Sequence, residues 1–259
     1  MIQFLSQFSS ETVAIFVIGI SILLSVLCLW VVQRYLQFIH FRDATDHGEI
    51  FSAAIGGIIS LVFAFVTITV WQNYNYIDNA VAKEANVLHN IYRNVEVYPP
   101  EISNQVRPLL RQYVEQVIKV EWPSLREAKE DAESHRLITE VNRIMVAYKP
   151  AVLGEFPLHT ETLRLISENR GLRHDRIKGS KPHLETPMWT ALFIAAILLV
   201  AYSSMFVVPR FSTHVFMISS LGASLGIMFY ILVVYNYPFT EPGAIVSEPF
   251  QRLLDVYWK

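Results

Sequence analysis

The sequence predicts an all-α membrane protein, with four transmembrane helices and a cytoplasmic helical bundle inserted between the second and the third. Three observations carry this. The chain of 259 residues is 53% hydrophobic with a mean hydropathy of +0.33, too apolar for an ordinary water-soluble fold. The excess is gathered into uncharged runs at Thr12 to Val32, Ile50 to Trp71, Met188 to Val208 and His214 to Tyr235. Each is about 30 Å long as a helix, which matches a hydrocarbon core. Between the second and third runs lies a polar stretch, Gln72 to Pro187, whose apolar residues recur at helical spacing with no sustained β alternation.

The first run reads as a span and not as a cleaved leader. Residues 1 to 11 hold no Lys or Arg, the run is longer than a usual signal core, and no small-residue cleavage site follows. Four spans place both termini and the Gln72 to Pro187 segment on one side. Lys83, Arg170, Arg173, Arg176, Lys178, Lys181, Arg252 and Lys259 lie near span ends on that side, against Arg34, Arg42 and Arg210 on the other. The positive bias makes the first side cytoplasmic. The boundaries that follow are 1–71 for the N-terminal segment with spans one and two, 72–187 for the cytoplasmic domain, and 188–259 for spans three and four with the tail.

Within the insert, Ile77, Val81, Leu88, Tyr92 and Val95 continue the helical pattern of span two without a breaker, so span two is expected to run on as one long helix. Pro99-Pro100 ends it. Ile102, Val106, Leu109, Tyr113, Val117 and Val120 form the face of the next helix, which Pro108 should kink or start and Pro123 should close. Two more helices are expected over about 134–147 and 159–178, and the charge-rich connector 126–136 between them and the preceding helix is expected to be solvated. The bundle is then antiparallel.

The charges nearest apolar faces are Glu84, Arg93, Glu121, Arg170, Arg173 and Arg176. They serve either as ion pairs that set helix register or as a ligand or ion site in a vestibule below a pore. Glu121 is expected to pair with an arginine such as Arg170 or Arg173, and Trp122 to plug the bundle end.

Several chemistries are excluded. No Walker loop, GxSxG elbow, HExxH or paired CxxC is present, so no enzyme, cofactor or metal site is predicted. Cys28 is the only cysteine, which rules out an internal disulfide. His40 and His47 stand on a linker at a spacing too loose for metal ligands. The net charge of -2 with no basic aromatic face gives no footprint for nucleic acid. The four runs contain no Asp, Glu, Lys or Arg, so the proton relays of coupled transporters are missing. Passive conduction or a non-conducting role remains.

Span two is the informative helix. Ser52, Gly56, Ser60 and Ala64 recur every four residues as a small-residue stripe, which permits close helix approach in lipid. That approach is either to a second copy of the chain or to another span of the same one. A neighbouring stripe holds Gly57, Leu61 and Phe65.

Together, "FAFVTITVW" and "KEANVLHNIYR" within 63–93, "YVEQVIKVEWP" at 113–123, "ENRGLRHDRI" at 168–177 and "NYPFTEPGAIVSEPF" at 236–250 resemble the bestrophin-like bacterial membrane proteins, over roughly residues 50–258. Asn236 stands where such proteins commonly carry an acid. More distantly the chain is similar to the bestrophins, pentameric anion channels whose second membrane helix forms an apolar pore neck. The resemblance implies neck positions at Gly57, Leu61 and Phe65, a homo-oligomer with five subunits favoured, an inorganic anion as permeant, and a bacterial cytoplasmic membrane as location. The other class open to the sequence is a non-conducting scaffold or sensor whose cytoplasmic bundle binds a protein.

Overall fold

The computed structural model describes residues 10–35, 45–206 and 208–258, the side chains of 45–49 excepted. The principal α-helices among the described residues are α1 (Ser10–Tyr35), α2 (Thr45–Glu96), α3 (Pro100–Gln116), α4 (Ala132–Ala147), α5 (Glu155–Gly179), α6 (Thr186–Ser204), α7 (Phe211–Asn236) and the short α8 (Glu248–Arg252). Of these, α1, α2, α6 and α7 are long and apolar enough to cross a membrane. Contacts divide the chain into two units, one of residues 1–73 with 182–243 and the other of residues 74–181 with 244–259.

The membrane unit is built on two kinds of packing. Along α1 and α7, small residues let the backbones approach. A Cβ added at Gly226 would lie 2.8 Å from the Ile18 Cα, and one at Gly222 would lie 2.6 Å from the Ser25 Oγ. The Ser21 and Ser25 hydroxyls turn back onto the carbonyls of Val17 and Ser21, so neither leaves an unsatisfied donor in hydrocarbon. The other contact is a bulky seam. Ile59, Phe63, Val66 and Val70 of α2 are buried with Leu192, Ala196 and Leu199 of α6 and Phe229 and Leu232 of α7. Phe63 meets Phe229 edge-on at 5.3 Å, and Phe193 stacks on Phe229 at 4.8 Å.

Helix α2 is 52 residues long, about 78 Å at 1.5 Å per residue, so less than half of it fits in a hydrocarbon core. In the second unit its polar end lies antiparallel to α5. Asn94 reaches Thr162 (3.2 Å), Lys83 reaches Glu168 (2.7 Å) and Tyr76 reaches Asp175 (2.7 Å). Helices α3 and α4 close the bundle through Val106, Leu110, Tyr113, Val114, Leu137, Val141 and Met145, all buried. Each such side chain contributes about 1.5 to 3 kcal/mol of burial.

Two expectations for α3 are corrected. Pro108 does not mark the start of the helix, the second of its two expected roles, but lies inside it with its ring exposed. Nor does Pro123 close it. The chain widens into a π turn over Val117–Glu121, where the Trp122 N–H reaches the Val117 carbonyl five residues back, and winding continues through Leu125–Glu127. The wide turn has a physical cause: proline lacks an N–H and its ring crowds the carbonyl four residues earlier, so a looser turn relieves the clash. Ala128, at φ 54° in the left-handed region, ends the winding. Most of the 126–136 connector is exposed, as expected, but Asp131 and Ser134 are drawn into the fold. Asp131 caps α4 by accepting from the Ser134 N–H (2.8 Å) and accepts from Gln116 Nε2 (3.0 Å).

Candidate functional site

In the membrane unit, the buried stripe of α2 at Ile59, Phe63, Val66 and Val70 faces its own chain. The pore-lining candidates lie on the other side. Leu61 and Phe65 are 56% and 62% exposed, and nothing lies within 4 Å of a Cβ built at Gly57. The small-residue stripe splits. Ser52 and Gly56 are half-buried, with Leu199 of α6 at 3.7 Å from a Gly56 Cβ, while Ser60 and Ala64 are exposed. Sequence reasoning passed over the closest helix pair. Its signal was present as Gly222-x-x-x-Gly226 in span four and Ser21-x-x-x-Ser25 in span one.

In the second unit, four of the six charge candidates come together. Arg176 Nε and Nη2 bond Glu84 at 2.7 and 3.1 Å, and Nη2 also bonds Glu121 at 2.7 Å. Arg173 takes the other Glu121 oxygen and extends to Glu130 at 2.8 Å. Glu84, Glu121 and Arg176 are fully buried. Glu121 is buried along with Leu110, Tyr113 and Val117, which share its helical face by spacing. The Trp122 ring and that of Phe250 lie against the Arg176 guanidinium at 5.4 and 5.6 Å, and Trp122 Nε1 donates to the Ile245 carbonyl. The Tyr113 hydroxyl donates to Glu84, and burial together with the Glu84 charge pushes its pKa well above the phenol range. Burial works against the Arg176 charge, but the Glu84 and Glu121 carboxylates outweigh it and hold the guanidinium protonated.

Arg93 and Arg170 are exposed and outside this cluster. The tail contributes residues that periodicity did not mark. Trp258 stacks on Tyr92 at 4.3 Å, Arg107 lies over the same Tyr92 ring, and Arg111 Nη1 donates to the Trp258 carbonyl. Among the described residues no group of three or more His, Cys, Asp or Glu side chains is placed to hold a metal ion. His40, Arg42 and the side chain of His47 lie outside the described residues.

The fold has known counterparts. The fold matches a crystal structure of a membrane protein at 11% identity, with a TM-score of 0.64, covering 93% of this chain and 97% of that one. It also matches two variants of a bacterial bestrophin homologue from Klebsiella pneumoniae. They share 12% and 11% identity, with TM-scores of 0.63 and 0.64, and cover 93% of this chain and 98% and 99% of theirs. At such identity these likenesses establish the fold alone. No curated protein matches in sequence. The bestrophin-like domain matches residues 19–250, and the chain therefore belongs to the bestrophin-like family.

Proposed function

We propose that the chain is one subunit of an oligomeric passive ion channel, anion-preferring, with a pore lined by α2 at Gly57, Leu61 and Phe65. The observation that carries this is the uncovered face of α2. Gly57, Ser60 and Ala64 are exposed on it, whereas small residues in membrane helices ordinarily face another helix. With the opposite stripe occupied by α6 and α7, the natural cover is α2 of another copy, and five copies are favoured by the family resemblance. Leu61 and Phe65 then ring the axis one turn apart as an apolar constriction that holds back ions by dewetting. The spans supply no charged relay, which suits conduction rather than coupled transport. The buried Glu84, Glu121, Arg173 and Arg176 network braces the bundle, and the exposed Arg93 and Arg170 remain candidates for a vestibule. The insert and both termini face the cytoplasm of a bacterial cell.

The test is ion flux through liposomes containing protein of measured oligomeric mass. Leu61→Ala combined with Phe65→Ala is expected to raise flux above wild type. If folded, oligomeric wild type and double variant both fail to conduct, the channel reading is lost and the scaffold reading takes its place.

A further inference from the structure

The membrane unit contains a crevice of about 540 Å³ between α1, α6 and α7, and we infer that it is a binding site for one acyl chain of a membrane phospholipid. Its size lies in the range of small-molecule sites, about 300 to 1,000 Å³.

The walls specify the class of occupant. Phe193 and Phe229, stacked on each other, and Trp189, stacked on Phe193, make one apolar side. Ser21, Ser25 and Cys28 line the α1 side. Both serine hydroxyls donate to their own helix, to Val17 and Ser21 carbonyls, so neither offers a donor to a ligand. A polar guest would lose its hydration without replacement here, whereas a hydrocarbon chain loses nothing.

Length points the same way. Along α6 the lining runs from Trp189 to Val200, about 16 Å at 1.5 Å per residue, which is close to half of a hydrocarbon core about 30 Å thick. The crevice is one leaflet deep. Trp189 stands in the first turn of α6, beside Pro187, where an indole marks the headgroup level. The lipid therefore comes from the leaflet at that end, with its headgroup near Trp189 and its chain running towards Cys28. The exposed side chains of Leu24 and Ile197 at the rim leave the opening on the surface where bulk lipid is at its highest concentration.

The test uses the full chain in nanodiscs with a phospholipid carrying a photoactivatable diazirine on its acyl chain, and maps crosslinks by mass spectrometry. Crosslinks are expected on Ile20, Cys28 and Val200 and should persist under a chase of unlabelled phospholipid that clears exposed Ile15 and Phe216. Ala196→Phe should reduce the crevice crosslinks about tenfold and leave those on Ile15 and Phe216 unchanged. Ile20→Trp fills the crevice from its exposed rim and decides the matter if Ala196→Phe fails to fold. The inference is overturned if crevice and surface crosslinks clear at the same rate, as for unbound boundary lipid. It is equally overturned if the crevice residues crosslink only to a second copy of the chain.

Discussion

Arg176 and Glu84 lie 92 residues apart in sequence, yet Arg176 Nε sits 2.7 Å from Glu84 Oε2 with both side chains fully buried. The same guanidinium holds Glu121, so one arginine on α5 ties together α2 and the end of α3. Desolvating such ions costs several kcal/mol each, and their mutual contacts offset that.

Removing one member is therefore expected to destabilise strongly. Glu84→Gln or Arg176→Met should cost about 3 to 5 kcal/mol, because each leaves an uncompensated buried charge. The pair changed together should cost less than the sum of the single changes. Denaturant unfolding of the solubilised protein, arranged as a double-mutant cycle, measures this; additive effects would show that the two groups do not interact. Arg170→Ala, at an exposed position outside the cluster, should change stability by less than about 0.5 kcal/mol.

Acid should weaken the bundle through His159. Its ring lies against Tyr98 and Tyr148, and the Tyr98 hydroxyl meets its Nδ1 at 3.1 Å. Burial lowers its pKa below the ordinary imidazole value. A base with a lowered folded pKa binds more protons when unfolded, so stability is present above the ordinary value, about 6.5, and falls as pH drops through it. The melting temperature should decline between about pH 7.5 and 5.5. His159→Gln should flatten that decline, and an unchanged slope would assign it to other groups.

Glycines of the membrane unit should differ sharply in tolerance. Gly226→Ala would drive a Cβ to within 2.8 Å of the Ile18 backbone and is expected to cost about 1 to 3 kcal/mol as α1 and α7 separate. Gly19→Ala meets open space and should be neutral or slightly stabilising, since alanine is the better helix former. Thermal stability in detergent compares the two directly.

Topology gives the simplest check on the proposed orientation. A cysteine introduced at Glu130, in a chain carrying Cys28→Ser, should resist an impermeant thiol reagent applied to intact cells, and one at Arg210 should react. The reverse pattern would invert the protein in the membrane.

Much of the fold was legible in the sequence because the bilayer is a simple solvent. A helix that crosses it must be apolar over about 20 residues, and four such runs announced α1, α2, α6 and α7. The unbroken periodicity into Val95 likewise gave the long α2. The prolines at 108 and 123 were read as local obstacles, but neither ends the winding. The helix runs on through Pro108 with Leu110, Tyr113 and Val117 buried beyond it, and a π turn precedes Pro123. A propensity of a few kcal/mol yields to tertiary contacts of that size.

By itself, then, the sequence determined which segments are long and apolar enough to enter the membrane and which follow a helical period, since these depend only on local composition and spacing. Tertiary structure alone decided that Glu121 meets Arg173 and Arg176 rather than Arg170, that Gly222 and Gly226 make the closest helix contact, and that Trp258 returns to stack on Tyr92. The physical reason is that period fixes the face a residue occupies but not the partner across it. That partner is set by how α5 is aligned against α2 and α3 and α1 against α7, and a single turn of helix, about 5.4 Å, exchanges one arginine for the next.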